Sequence, residues 1–513
     1  MRRFLDQHKE RIVGVLSGFD RVLFRGTLRC LDYQDGIEAF LATHRVLLKN
    51  FGKYAQGLSE EVKQHAHEFA AKHQRPLIYL PSAATSKEDT ARRIMNQDQI
   101  KQGLICVLTC VESCRSLSIR RNRQTKHLEI TQATRKCLFV YYYFLDREFG
   151  LMHVRLQTWL PMPIQVCLNG REYLACRMRR AGIGHEQRDN CFTRIDDLPR
   201  AQKMLADLER RQWAPFLSGL ARRLNPLLRS QHDLDLRPYY WTIRESEYAT
   251  DVMFKSDAAL QEIYPALVNH ALQQFSCQDT LRFLGRKTNS RFNGEASTNV
   301  KHRLEGVRIK HWVEENSIKM YDKQGCVLRI ETTINNPRRF KVRRPATRNG
   351  RPCMAWIPMR KSVADVSRRA ELGLAANGRY LEALGVVGVP APTRHLLDPV
   401  SKPVTREGRA YRALRPIAPD EAQLFAILLD GEFLLQGFRN KDIRRRYLPK
   451  PGDDPKARKK ASGRMTRLFR LLRAHGLIQK VSRTSYYRVT RKGTHVMSTA
   501  LRLRELDLAA LAA

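Results

Sequence analysis

No apolar run in this sequence comes near the ~18 residues that cross a bilayer. The opening MRRFLDQHKERIVGVLSGFD is basic, but Gly and Asp interrupt its short apolar stretch, so it does not read as a secretory signal. Eleven cysteines include no C-x-x-C pair, which supports neither a zinc ribbon nor a disulfide framework. The single cluster, Cys106, Cys110 and Cys114, places its thiols on one strand face, where buried cysteines suffice as an explanation. Such thiols point to a reducing compartment, the cytoplasm. Missing too are G-x-x-x-x-G-K-[ST], G-x-G-x-x-G and G-x-S-x-G, so ATPase, dinucleotide and serine-hydrolase chemistry find no support. Acidic residues are scarce: 51 Asp and Glu face 92 Lys and Arg, a net charge of +41. An excess of that size repels itself in a compact chain and is normally held by a polyanion. Nucleic acid is therefore the expected partner, DNA ahead of RNA, with no membrane.

With 42% hydrophobic residues in 513, the chain is long enough for about three packed domains. Residues 1–225 alternate strand signals (RIVGVLSGFDRVLFRG, with SGFD as turn or bulge; PLIYL; LICVLTC; KHLEI) with an Ala-rich helix from Ser59 to His73. CLFVYYYFL and GLMHVRLQTW, joined by DREF, read as a hairpin, and the pattern from Pro163 to Arg223 reads as helical. Residues 226–386 open on the strand RPYYWTIRESEYATDVMF, continue with a helix from Asp257 to Phe275 capped by Ser256, and close on a helix from Ser362 to Leu384. Both segments are expected to be α+β on antiparallel sheet. Residues 387–417, with Pro390, Pro392, Pro399, Pro403 and Pro416, read as a linker. Tyr141, Tyr143, Tyr239 and Trp241 alternate with basic residues and are candidate stacking platforms if their face is open.

Residues 418–513 give a helix, a short helix, a long helix ended by Gly476, then strand, basic turn, strand and a last helix. In the long helix Ala461, Met465, Leu468, Phe469 and Leu472 form one stripe, with Lys456, Lys460, Arg467 and Arg470 roughly opposite. From Gln436 to Gly493 there are 19 Lys and Arg against three acidic residues. RLLRAHGLIQKVSRTSYYRVTRKG resembles the winged-helix domains of bacterial transcription regulators. The resemblance implies that Lys456, Lys460, Arg464, Arg467 and Arg470 face a groove, with Arg483, Tyr486 and Arg488 on the wing.

NSIKMYDKQGCVLRIETTINN, Asn316 to Asn336, reads as a hairpin with the loop Lys323-Gln324-Gly325, which sets Lys319 opposite Arg329 and Tyr321 opposite Val327. Ile318, Met320, Leu328, Ile330 and Ile334 then share an inward face, and Lys319, Tyr321, Arg329, Glu331 and Thr333 share the other. Two cations and a tyrosine suit a nucleic-acid backbone, and Glu331 suits a metal ligand or general base. IKMYDKQGCVLRIETTI resembles the hairpin of rolling-circle replication initiators from plasmids and filamentous phage. That resemblance implies a ferredoxin-like sheet, a mobile-element role and strand nicking by a tyrosine with Mg²⁺ or Mn²⁺, for which Tyr321, Glu331 and Asp20 are the catalytic candidates and Glu331 and Asp251 the metal candidates. Glu245 and Glu247 are further carboxylates near strand signals. The fifteen residues before Asn316 hold no tyrosine, and the one His-x-His, His65-Ala66-His67, lies in a helical setting. A non-catalytic binder of structured RNA and a winged-helix transcription regulator are the alternatives.

Overall fold

The computed structural model describes residues 1–513 except 230, 231, 233, 235, 286–294, 304, 305, 349, 350, 388–392, 449–454, 483 and 506–513. Pro390, Pro392 and Arg483 thus lie outside the described residues. The fold is α+β. Its main sheet has eleven strands: β1 (Ile12–Thr27), β2 (Leu77–Leu80), β3 (Gly103–Arg121), β4 (Leu128–Asp146), β5 (Gly150–Gln157), β6 (Ile164–Asn169), β7 (Tyr240–Phe254), β8 (Ala296–Arg303), β9 (Gly306–Val313), β10 (Asn316–Lys323) and β11 (Val327–Ile334). Their order is β8-β9-β10-β11-β7-β1-β6-β5-β4-β3-β2. All neighbours are antiparallel except β2 and β3.

The central position of β1 follows from its composition. Its sixteen residues are long enough to pair with β6 on one side and β7 on the other. One sheet therefore runs through both segments on either side of residue 225, and the boundary expected there is no break in the backbone ladder. The Lys319–Glu331 hairpin likewise belongs to this eleven-stranded sheet rather than to a small four-stranded one. Val22 and Phe24 point into the main core with Val166, Leu168 and Val154, while Arg21 and Arg25 alternate to the other face. The SGFD stretch is a bulge: Phe19 faces Tyr248 and Arg21 faces Glu247, so Asp20 is the extra residue. A second bulge on β7 does the same for Arg244, between Ile243 opposite Phe24 and Glu245 opposite Leu23. Bulges re-aim side chains, and these two each re-aim a charge.

Helix Val366–Leu384 covers β7 and β11, with Asn377 buried and bonded to the Tyr248 carbonyl, Thr250 and Thr332. Pro163–Arg223, expected as helical throughout, also supplies β6 and the hairpin His185–Arg188/Cys191–Ile195. Polar alternation in IQVCLN hid β6, whose inward residues are only three. The helix expected over Asp257–Phe275 is split into Asp257–Gln261 and Tyr264–Gln273 because Pro265 starts the second piece; Ser256 caps the first as expected.

Asn169 ends β6 and caps helix Gly170–Arg180 by accepting from the Arg171 and Glu172 amides. Gly170 is required there: a Cβ would stand 1.8 Å from the Phe19 carbonyl oxygen. Gly170→Ala should therefore cost about 1–3 kcal/mol or more in urea unfolding, as overpacking against backbone does.

The C-terminal part comprises helices Pro419–Leu428, Gly431–Gln436, Asn440–Tyr447, Pro455–Ala474 and Arg491–Glu505, with strands Ile478–Lys480 and Tyr487–Val489. A bridge from Phe438 to Tyr487 adds a third strand position. Met465, Phe469 and Leu472 dock the long helix into a core with Phe438, Ile443 and Val496. Gly476 ends the helix at φ 74°, as expected from its position. The described part of the proline-rich stretch packs against its neighbours: Leu397 from helix Arg394–Leu397, with Val400 and Leu414, joins this same core. Among the described residues no helix is long and apolar enough to cross a membrane.

Candidate functional site

The Asn316–Asn336 hairpin keeps its expected faces but not its expected register. Lys319 lies opposite Glu331 and Tyr321 opposite Arg329, two residues from the predicted pairing. The loop is Gln324-Gly325-Cys326, with Gln324 and Gly325 both at positive φ and the Cys326 carbonyl accepting from Phe254. A two-residue slip preserves faces because the side-chain period is two.

The polar face of the hairpin is covered where it was expected to be open. Arg329 is wholly buried; its Nε and Nη2 donate to Asp251 at 2.6 and 2.8 Å, its Nη1 to Asp20 at 3.1 Å, and Nη2 also to the Asn190 carbonyl. Arg171, also buried, donates to Asp251 at 2.9 and 3.2 Å. Asn190 donates to both oxygens of Asp20. The two guanidiniums hold the Asp251 carboxyl below the usual carboxylate range even though burial pushes it up. Arg329 is thus engaged internally and does not face a nucleic-acid backbone.

One rung along, Lys319 bridges Glu331 at 2.5 Å and Glu247 at 3.2 Å, and Tyr321 donates to Glu331 at 2.7 Å. Arg21 adds contacts to Glu245 at 2.6 Å and Glu247 at 3.1 Å. Burial and the adjacent Glu331 carboxylate push the Tyr321 phenol well above its ordinary pKa. The hydroxyl that would attack a phosphodiester is thus engaged within the network. The oxygens of Asp251 and Glu331 are taken up by Arg171, Arg329, Lys319 and Tyr321. Among the described residues no group of three His, Cys, Asp or Glu side chains is arranged to hold a metal ion.

Glu247 is the group this network leaves titratable. Burial first, then repulsion from Glu331, pushes its pKa up to about 7. The folded chain keeps that proton up to about pH 7, while the unfolded glutamate releases it near 4.5. The native state binds more protons in this window, so stability falls as pH rises through it. Glu247→Gln should therefore melt higher relative to wild type at pH 8 than it does at pH 5, as read by thermal denaturation.

The aromatic candidates are core residues. Tyr141, Tyr143, Tyr239 and Trp241 are all buried, so none is a stacking platform. The sheet also carries a half-buried charged strip that sequence reasoning missed: Arg25, Gln165 and Arg155 lie side by side across β1, β6 and β5. The signal was present in the alternation RVLFR and MHVRL, but only the register aligns the two strands.

No protein-family model, curated protein or solved structure matches this chain. Geometry alone must then select among functions, and its plainest statement is in the C-terminal part. Lys456, Lys460, Arg464, Arg467 and Arg470 are all exposed on helix Pro455–Ala474, which contains no acidic residue. They lie opposite the stripe of Met465, Phe469 and Leu472 that packs inward. Arg488 is exposed on the second strand, and the Tyr486 ring stacks under Arg439 at 4.2 Å.

Proposed function

We propose that this chain is a nucleic-acid-binding protein whose residues 418–513 form a winged helix, laying helix Pro455–Ala474 in the major groove of a duplex. The observation that carries the reading is the exposed stripe of Lys460, Arg464, Arg467 and Arg470, spaced so that four cations share one side of a helix whose other side is anchored in the core. The element order supports it: short helix, long helix, strand, turn, strand, with a third strand position at Phe438. Cations on such a helix meet phosphates flanking the groove, and Arg488 on the wing reaches the adjacent backbone. The nicking activity implied by the hairpin resemblance is not part of the proposal, because Tyr321 donates to Glu331, Glu331 also holds Lys319, and Asp20 and Asp251 are held by buried arginines.

The test is fluorescence anisotropy of the full chain with a labelled DNA duplex and with a structured RNA, each at several salt concentrations between 50 and 200 mM. Binding to the duplex should weaken steeply across that range as counterions compete. Tighter binding to the RNA would reassign the helix to a structured-RNA partner, and salt-independent binding to both would overturn the electrostatic grip.

A further inference from the structure

The charged strip on the sheet is a second site, remote in sequence from the C-terminal helix. Thr242, Arg25, Gln165, Arg155 and Tyr141 occupy one rung across β7, β1, β6, β5 and β4. Arg25, Gln165 and Arg155 point away from the core that takes Phe24, Val166 and Val154. Arg155 is fixed in place: Nη2 donates to Glu112 at 2.6 Å, Nε to the Tyr141 hydroxyl at 2.9 Å, and its guanidinium lies 3.7 Å over the Phe139 ring. Lys87 shares the same Glu112 at 3.1 Å, so that one carboxylate serves two cations.

Among the described residues Arg25 has no such partner. Its Nε is buried and makes no hydrogen bond. Burial lowers its pKa, and Arg244, Arg115 and Arg155 lower it further against the opposing pull of Asp32. Beside this half-buried floor stand two exposed arginines whose charge reaches Arg25: Arg244, thrown out by its bulge on β7, and Arg115 on β3. Holding cations this close, partly out of water and short of counter-charge, costs free energy that a bound anion would recover.

We propose that Arg25, Arg115, Arg155 and Arg244 form a trough for the phosphodiester backbone of a single nucleic-acid strand. The length decides against a lone phosphate. From Arg244 on β7 to Arg155 on β5 there are three strand spacings of about 4.8 Å, roughly 14 Å of cationic floor and rim, which spans more than one phosphate of a strand. The half-buried floor between exposed rims suits one strand rather than the full width of a duplex. The proposal rests on the nucleic-acid reading above but on none of the residues that carry it.

The experiment uses the full chain and labelled 20-nucleotide single strands of DNA and of RNA, in a Lys460→Gln, Arg467→Gln, Arg470→Gln background that disables the C-terminal helix. Residual single-strand binding should persist there. Adding Arg25→Gln and Arg244→Gln should weaken it at least tenfold near 0.1 M salt and reduce the salt slope by about 1.4, at about 0.7 per phosphate contact. A Lys49→Gln, Lys53→Gln pair on an exposed helix end is the charge-matched control. If the Arg25 pair lowers the melting temperature, Arg115→Gln with Arg244→Gln, both exposed, carries the test instead. Loss no greater than the control overturns the trough. Wild type that binds duplex but not single strands overturns the trough alone, whereas single-strand binding without duplex binding overturns the winged-helix reading and leaves the trough standing.

Discussion

Replacing Lys460, Arg467 and Arg470 together by glutamine should lower affinity for a DNA duplex by several hundred-fold at 0.1 M salt while leaving the fold intact. The magnitude follows from counterion release. Each duplex phosphate neutralised contributes about 0.9 to the slope of log K against log salt, so three contacts contribute roughly 2.7. At 0.1 M that slope amounts to nearly a tenfold gain per contact. The same arithmetic requires the wild-type and variant lines to converge as salt approaches about 1 M. Convergence matters more than the loss itself, since a variant that was merely misfolded would stay weaker at every salt concentration. The side chains are exposed, and the apolar stripe that anchors the helix, Met465, Phe469 and Leu472, is left untouched. Surface changes of this kind normally alter stability by less than about 0.5 kcal/mol. Parallel lines for variant and wild type, with unchanged slope, would show that these cations touch no phosphate.

Much of the architecture was legible in the chain because its signals are local. β4 and β5 stand where CLFVYYYFL and GLMHVRLQTW alternate around DREF, and Gly476 ends its helix where the periodicity stops. The two faces of the Asn316–Asn336 hairpin were legible for the same reason, since alternation survives a slip of two residues. What sits above a face is not local. Arg329 looked like a binding residue because nothing in LRIETTI announces that Arg171, 158 positions earlier, and Asn190 close over Asp251 and Asp20. Sequence pattern shows that a side chain leaves one core; it does not show whether the other side is water or more protein. The arginine trough was hidden for the complementary reason. Arg25, Arg155 and Arg244 are unremarkable singly, and only the ladder between β7, β1, β6 and β5 sets them side by side.

The buried cluster makes the second large prediction, and it concerns folding rather than chemistry. Asp20 and Asp251 carry two negative charges, Arg171 and Arg329 two positive ones, and all four side chains are buried. Asp251 alone accepts four guanidinium hydrogen bonds between 2.6 and 3.2 Å. Asp251→Asn would leave one buried positive charge uncompensated and turn an amide group toward N–H donors. Breaking a buried pair from one side costs about 3–5 kcal/mol, and a loss of that size should be visible in the urea midpoint. Pairing the change with Arg171→Met removes the surplus cation, so Asp251→Asn, Arg171→Met should lose clearly less than the two single variants summed. That non-additivity is the signature of direct coupling, as a double-mutant cycle measures it. Additive losses, or a cost below about 1 kcal/mol for Asp251→Asn, would mean that water reaches the cluster and screens it. The network ties β1, β7 and β11 to helix Gly170–Arg180 and to the hairpin carrying Asn190. It joins the two halves of the sheet at the bulge of Asp20, and the same join sets the strand register on which the arginine trough depends. A chain loosened at Asp251 should for that reason bind single strands less well even with every trough arginine in place.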